Sequence, residues 1–414
     1  MTYDDIERRA TPPGEPVRIL FHIDHFGLGG TETALLGWLN ALDRRYFAPG
    51  LSVTFPTEEL DFWREKSLPA DVPVHVHVRE PWLHTLMQHR QKRRLRTTEK
   101  LRLKLLTYMV ARPLLARRFR GIASGYDVVC DFDFSLRYLA GSGGVPWFGV
   151  SHFSLAARLG NKSAAYVARR VRHYLRYNAI AMLTADMERE ALQLVGTGAI
   201  DVVRLPNVVD IDAIRQRAAE PAEADGPDGP FIVSVARLDE GQKDHRTLLR
   251  AYAKVRAQYA DAPGLLLLGD GADRASLEQL AHDLGVAAHV RFAGFCSNPF
   301  PFMRAARMLV LSSRYEGFGM VLLEAMALGT PVVSTDCPTG PRDLLDGGDS
   351  GLLVPPGDID AMADAILKLL NDASLRERLV VNGMRKAKTL APAAANQRMR
   401  KLVERLLRRG ALAR

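Results

Sequence analysis

The chain has 414 residues, enough for two or three domains of ordinary size. Hydrophobic residues make up 47% and charged residues 25%, which excludes disorder as the main state and a fibrous repeat; no apolar run nears the ~18–20 residues of a membrane span. The net charge is +9, and the three cysteines (Cys130, Cys296, Cys337) are far apart without CxxC spacing, which excludes a disulfide framework and fits a reducing cytoplasm.

The first twenty residues have no apolar core before a cleavage site and do not read as a signal peptide. From there the first half alternates strand and helix. VRILFHID (17–24) reads as a buried parallel strand, followed by the glycine-rich GLGG and a helix over 31–42. LSVTF, VPVHVHV, YDVVCDF, PWFGVS and AIAMLTA are further strands, and 186–195 a helix. LPNVVDIDAI closes a domain over 1–214. The stretch 215–230, rich in Pro, Ala, Gly and acid, reads as a linker. The alternation then restarts over 231–390. FIVSVA, GLLLLG, HVRFAGF, RMLVLSS and TPVVSTD are strands, and helical patterns fall at 245–259, 274–285, 320–329 and 359–372. The pattern predicts two doubly wound, Rossmann-like α/β domains. Ligands in such folds bind at the carboxyl ends of the strands, so a cleft between the domains is the expected site.

Charge is concentrated in one place. Residues 90–120 hold twelve Lys and Arg against Glu99 alone, a net of +11 that exceeds the charge of the whole chain. Apolar residues are mixed among these cations, including Leu95, Leu101, Leu105, Tyr108 and Met109. An anionic membrane surface suits such a helix, and a solvated helix pair suits it equally. Aromatic platforms for stacking bases are too few for a nucleic-acid partner.

The stretch 314–329, RYEGFGMVLLEAMALG, carries the most chemistry. Gly317, Phe318 and Gly319 follow a strand and open a helix, so uncovered N–H groups point with the helix dipole toward an anion. Glu316 stands before that helix and Glu324 inside it. Two carboxylates so placed can accept hydrogen bonds from sugar hydroxyls on either side of a diphosphate. The plain alternative is a glycine turn flanked by one surface and one helical glutamate. Gly29 and Gly30 open the first helix after the first strand and permit close approach to the backbone. This is no dinucleotide fingerprint, because the last glycine of GxGxxG would fall at Glu32. A tight structural turn is the other reading. The DxD pairs at Asp131/Asp133, Asp210/Asp212 and Asp358/Asp360 are too frequent to mark a metal site.

EGFGMVLLEAMALGTPVVSTDCPTGPRDLL resembles the signature of the family 4 retaining glycosyltransferases, which have the GT-B fold. SVARLDEGQKDHRTLLRAY, LLLLGDG, GFCSNPFPFM, GLGGTE and LPNVVD agree with it. The resemblance is more specific after position 230 and leaves 84–125 unexplained. It implies a sugar transferred with retention from a nucleotide-sugar, a UDP-sugar first, to a hydroxyl of a cell-envelope glycan or glycolipid. Bacterial enzymes of polysaccharide and lipopolysaccharide biosynthesis are of this kind. By residue, it implies that Glu316 holds the donor sugar and Glu324 the ribose. Arg237 and Lys243 match the basic pair that neutralises the diphosphate, so no metal or cofactor is needed. It sets Gly29 and Gly30 against the diphosphate-sugar and acceptor, and His152 near the donor sugar, with a structural histidine the equal alternative. Phe295 frames the base, with packing the equal alternative. Residues 391–414 would form a helix crossing back to the first domain. Retention without an enzyme nucleophile suggests a front-face mechanism. The expected place is the cytoplasm, or the inner face of its membrane through 90–120. A non-catalytic, membrane-associated nucleotide-sugar-binding protein on a degenerate GT-B fold is the rival reading, and a nucleotide-dependent oxidoreductase a weaker one.

Overall fold

The computed structural model describes residues 14–27, 29–82, 97–222, 226–259 and 261–412. The chain divides into two compact units. One comprises Met1–Leu183, Glu188–Leu205 and Ala395–Arg414; the other comprises Thr184–Met187 and Pro206–Ala394.

The first unit is built on seven parallel strands: β1 Val17–Ile23, β2 Phe47–Val53, β3 Val74–Val76, β4 Val128–Asp131, β5 Trp147–Ser151, β6 Ala179–Met182 and β7 Asp201–Arg204. Their order is β3-β2-β1-β4-β5-β6-β7, and Phe21 of β1 lies opposite both Leu51 and Cys130. The central strands read as continuous apolar runs because both sheet faces are covered. Every residue of β4, β5 and β6 is buried. β2 starts before the expected LSVTF because Pro49-Gly50 reads as a turn in sequence. Here Gly50 serves packing, since a Cβ there would stand 2.0 Å from the Tyr126 hydroxyl.

The second unit has six parallel strands: β8 Phe231–Val235, β9 Gly264–Leu268, β10 Val290–Gly294, β11 Leu309–Leu311, β12 Val332–Thr335 and β13 Leu352–Val354. Their order is β10-β9-β8-β11-β12-β13. Ile232, Leu265, Leu267, Val310 and Val333 form a buried core with Leu248, Tyr252 and Val255 of the helix His245–Gln258. Met362, Ile366 and Leu369 of the helix Ile359–Asn371 join them. Each such side chain contributes about 1.5–3 kcal/mol by leaving water.

Each sheet reverses its strand order once, between β1 and β4 and between β8 and β11. Connections leave a reversal in opposite directions, so a crevice opens at the carboxyl ends of the two strands.

The expected linker begins inside a helix. Asp210 caps Ile211–Arg217 by accepting the Ala213 N–H at 3.0 Å, and the division between units falls at 205/206. Arg90 to Arg96 of the basic segment lie outside the described residues, as does Leu28 of the glycine loop. The rest of the segment forms the helix Thr97–Leu106, a π-helical turn Thr107–Ala111 and the helix Arg112–Ala123. Among the described residues no helix is long and apolar enough to cross a membrane. The last helix, Pro392–Leu412, is anchored on the first unit. Asn396 accepts from the Asp43 N–H at 2.8 Å and donates to the Ala41 carbonyl at 2.7 Å, while Arg409 meets Asp201 at 3.0 Å.

Candidate active site

The loops after β8 and β11 flank the reversal of the second sheet. The first runs from Ala236 to Asp244 and is fixed from two sides. The Glu240 carboxylate accepts the His245 and Arg246 N–H groups at 2.8 and 3.2 Å, capping the helix that follows. Burial opposes the Glu240 charge, but the bonds from His245 and Arg246 prevail and hold its carboxyl below the ordinary value. On the other side, the glycines after β9 admit the loop's backbone. A Cβ at Gly271 would stand 2.3 Å from the Leu238 carbonyl oxygen.

The second loop, from Ser312 to Gly319, is tied to the first through backbone. The Arg314 N–H donates to the Gln242 carbonyl at 2.7 Å, and the Ser312 hydroxyl donates to the Lys243 carbonyl at 2.8 Å. The Lys243 ammonium donates to Glu316 Oε1 at 2.5 Å, and the Ser313 hydroxyl donates to the same oxygen at 2.6 Å. Both members of the ion pair are nearly buried, at 15% and 9% side-chain exposure, so the pair is weakly screened. Arg237 is exposed and donates to Gln242 Oε1 at 3.2 Å. The turn after β12 clamps the loop. Glu316 N–H donates to the Pro338 carbonyl at 2.8 Å, and Thr339 N–H returns a bond to the Glu316 carbonyl at 3.0 Å. Gly340 permits this contact, for a Cβ there would meet the Phe318 carbonyl oxygen at 2.5 Å.

Gly317 and Phe318 lead into Gly319, whose φ of +85° opens the helix Met320–Leu328 with no side-chain cap. The first turn of that helix keeps donors available for an anion. Glu324 lies on the same helix, half-buried. Burial pushes its carboxyl up to about 7, and the charge of Arg217 pulls the other way. Arg217 itself donates to the Ser297 carbonyl at 3.0 Å and lies over the Phe300 ring. Phe295, on the loop after β10, is 56% exposed.

The remaining expected residues belong to the first unit. His152 follows β5, is buried, and is bonded at 2.7 Å through Nε2 to the Phe132 carbonyl. Burial takes its pKa down to about 4, so the ring is neutral near pH 7 with Nε2 as its N–H. Gly29 precedes the helix Gly30–Ala41, and a Cβ there would stand 2.8 Å from a Glu32 carboxylate oxygen. Gly30 faces open space. Asp24 and Glu32 raise the pKa of His25, Asp24 the more strongly. The carboxylates of Asp24 and Glu32 thus stand beside this glycine loop.

The DxD pairs have structural occupations. Asp210 and Asp358 are helix N-caps. Asp131 is fully buried, accepts from Tyr177 at 2.6 Å, and is pushed well above the carboxylate range by burial and by Asp133. Among the described residues, no three of His, Cys, Asp or Glu stand together as a metal site.

The family described as glycosyl transferases group 1 matches residues 216–386. That span contains both loops of the second-unit site. The lipopolysaccharide core biosynthesis glycosyltransferase LpsE of Rhizobium meliloti is 42% identical over 167 residues, covering 40% of this chain and 47% of that one. The lipopolysaccharide 1,6-galactosyltransferase of Salmonella typhimurium is 33% identical over 177 residues, 42% of this chain and 47% of that one. The matched stretch thus spans about half the length of these curated relatives. Over the whole chain, the crystal structure of Anabaena Alr3699/HepE in complex with UDP superposes with a TM-score of 0.72 at 19% identity, covering 94% of this chain and 100% of that one. The fold is GT-B: two Rossmann-like α/β domains.

The site contains residues that sequence reading missed. Ser313 shares the Glu316 oxygen with Lys243, Gln242 holds Arg237, and Arg217 sets the charge around Glu324. Ser313 adjoined the recognised motif, but a lone serine at a strand end carries no signal of its own. Arg217 lay in the stretch read as linker.

Proposed function

We infer that this chain is a family 4, retaining, metal-independent glycosyltransferase that moves a sugar from a UDP-sugar to a hydroxyl of a cell-envelope glycan or glycolipid. The observation that carries this reading is the convergence of Arg237, Lys243 and Glu316 with an uncapped helix N-terminus where the second sheet reverses. The names of the lipopolysaccharide relatives support the acceptor class.

The diphosphate sits at the Gly317–Gly319 turn, against the N–H groups of the Met320–Leu328 helix and beside Arg237 and Lys243. An ammonium has three donors, so Lys243 can keep Glu316 and still serve a phosphate. Glu316, oriented by Lys243 and Ser313, accepts from the donor sugar's hydroxyls. Glu324 accepts from the ribose, and Phe295 borders the base. Gly29 and Gly30 leave backbone open to sugar hydroxyls. His152 positions the sugar as a neutral ring. In transfer, the acceptor oxygen bonds to the anomeric carbon as the carbon–oxygen bond to the β-phosphate breaks. The acceptor's proton passes to a phosphate oxygen on the same face, which keeps the configuration. Arg237 and Lys243 stabilise the charge that develops on the leaving UDP.

The reaction belongs in the cytoplasm, with residues 90–120 resting on the anionic inner face of the membrane. Sedimentation with anionic vesicles, weakening as salt rises, tests that contact; no binding at low salt removes it. The activity is tested by titrating UDP-sugars and following transfer to a glycan acceptor. A bound donor at ~100 times its Kd adds ~2.7 kcal/mol of stability. No stabilisation by any UDP-sugar refutes the donor assignment; binding without turnover leaves the non-catalytic reading standing.

A further inference from the structure

A pocket in the first unit carries charge that the transfer step does not use. It encloses about 260 Å³, and four arginines line it without a carboxylate: Arg112, Arg137, Arg169 and Arg170. Arg137 comes from the segment after β4, and Arg169 and Arg170 from the helix Ala164–Tyr174. Arg112 follows the π-helical turn, where its N–H donates to the Thr107 carbonyl five residues back. Such turns recur at functional sites. Here the turn sets the Arg112 guanidinium 4.2 Å from the Tyr108 ring centre and 4.6 Å from that of Tyr138. Among the described residues none of the four arginines has an ion-pair partner. The Tyr138 hydroxyl and His173 Nδ1 are buried without a hydrogen-bond partner. Burial and the Arg170 charge lower the pKa of Arg137, and burial with the Arg137 charge lowers that of His173. Gathering four like charges around a cavity works against folding unless an anion offsets it.

A larger cavity of about 580 Å³ lies elsewhere in the same unit, but its cations are paired. Arg18 holds Asp127 at 2.8 Å, and Arg44 holds Asp71 at 2.5 Å. That cavity makes no comparable demand for a ligand.

We propose that the four-arginine pocket binds the phosphate or diphosphate group of a lipid-linked acceptor. Guanidinium forks pair with phosphate oxygens in two-point contacts, and the tyrosine hydroxyl and imidazole supply further polar partners. The volume falls below the ~300–1,000 Å³ of pockets that enclose a whole small-molecule ligand, which fits a head group. Leu101, Leu105 and Met109, four residues apart on the helix and turn that lead to Arg112, are 60%, 52% and 73% exposed. They offer an apolar track for the hydrocarbon attached to that head group. Calling the ligand an acceptor rests on the transferase reading; binding of the anion does not.

The test titrates pyrophosphate and farnesyl diphosphate into the full chain by calorimetry. Both ligands are expected to bind the wild type. Arg112→Gln/Arg170→Gln should weaken both at least tenfold, and so, to a smaller degree, should the exposed single change Arg169→Gln, which leaves no fold to doubt. Arg237→Ala/Lys243→Ala should bind farnesyl diphosphate as the wild type does, which separates this pocket from the UDP site. Full affinity in both pocket variants overturns the proposal, as does loss confined to Arg237→Ala/Lys243→Ala. Tighter binding of farnesyl diphosphate than of pyrophosphate supports the lipid-linked source. Pocket-dependent binding to phosphatidylglycerol vesicles, without binding of either diphosphate, overturns it in favour of bilayer head groups. UDP titrated in parallel reports on the transferase reading alone, since the pocket variants should bind it unchanged.

Discussion

Glu324→Gln should strengthen the fold and weaken the nucleotide site at the same time. In the folded chain this carboxyl stands at about 7 against an ordinary 4.5. At ~1.36 kcal/mol per pH unit, that rise costs up to about 3 kcal/mol once the group is ionised. The folded state holds its proton more tightly than the unfolded chain, so the cost is absent below the unfolded pKa and complete above about 7. A neutral glutamine removes it. For a unit of this size, ~2–4 °C per kcal/mol predicts a Tm gain of up to about 10 °C at pH 8, shrinking steadily toward pH 5. UDP meanwhile loses a charged acceptor for its ribose, on the order of 1.5–3 kcal/mol, or roughly 10- to 150-fold in Kd. From pH 8 to pH 6 wild-type affinity should fall about tenfold more than the variant's as the carboxyl takes up its proton, the terminal phosphate of UDP titrating alike in both. Calorimetry and thermal melts across pH measure both. A Tm that drops at pH 8, or a variant that binds UDP like the wild type, would refute the assignment.

Arg237→Ala and Lys243→Ala should each slow transfer by ~10²–10³-fold in a steady-state assay, and EDTA should leave the wild-type rate unchanged. An absolute requirement for Mg²⁺ or Mn²⁺ would overturn the metal-free reading. Glu316→Gln should keep UDP affinity within a few-fold while transfer is lost, because its partner is the sugar; equal loss of UDP binding would merge its role with that of Glu324. Gly340→Ala should lower stability by about 1–3 kcal/mol in denaturant melts and disturb transfer as well, since the added Cβ meets the Phe318 carbonyl oxygen at 2.5 Å. Wild-type stability in that variant would mean the turn after β12 is not the clamp described.

Much of the fold was legible because its signals are local. The runs around Ile232, Leu266 and Val333 are mostly apolar, as strands covered on both faces tend to be. Glu316 stood out beside the glycine turn that follows such a run, whereas Arg237 and Lys243 were marked by the family resemblance, their place after a strand only agreeing with it. What stayed hidden depended on partners distant in sequence. Gly50 looked like a turn because Tyr126, the side chain it accommodates, lies far along the chain. Arg217 looked like linker because its neighbours Ser297 and Glu324 come from later elements. The four-arginine pocket was equally hidden, for its cations are scattered from 112 to 170 and only the fold gathers them.

The return of the last helix to the first unit also bears on how the chain is made. Residues 206–394 must be synthesised before Asn396 can reach Ala41 and Asp43. At ~5–20 residues per second, that delay is on the order of 10–40 s. Through that interval the seven-stranded sheet stands complete in strands while the sites that receive Asn396 and Arg409 wait in water. The second unit, continuous from Pro206 to Ala394 apart from Thr184–Met187, has nearly all its residues before the first is closed. Of the two units, the one whose translation starts first is therefore the last to be finished.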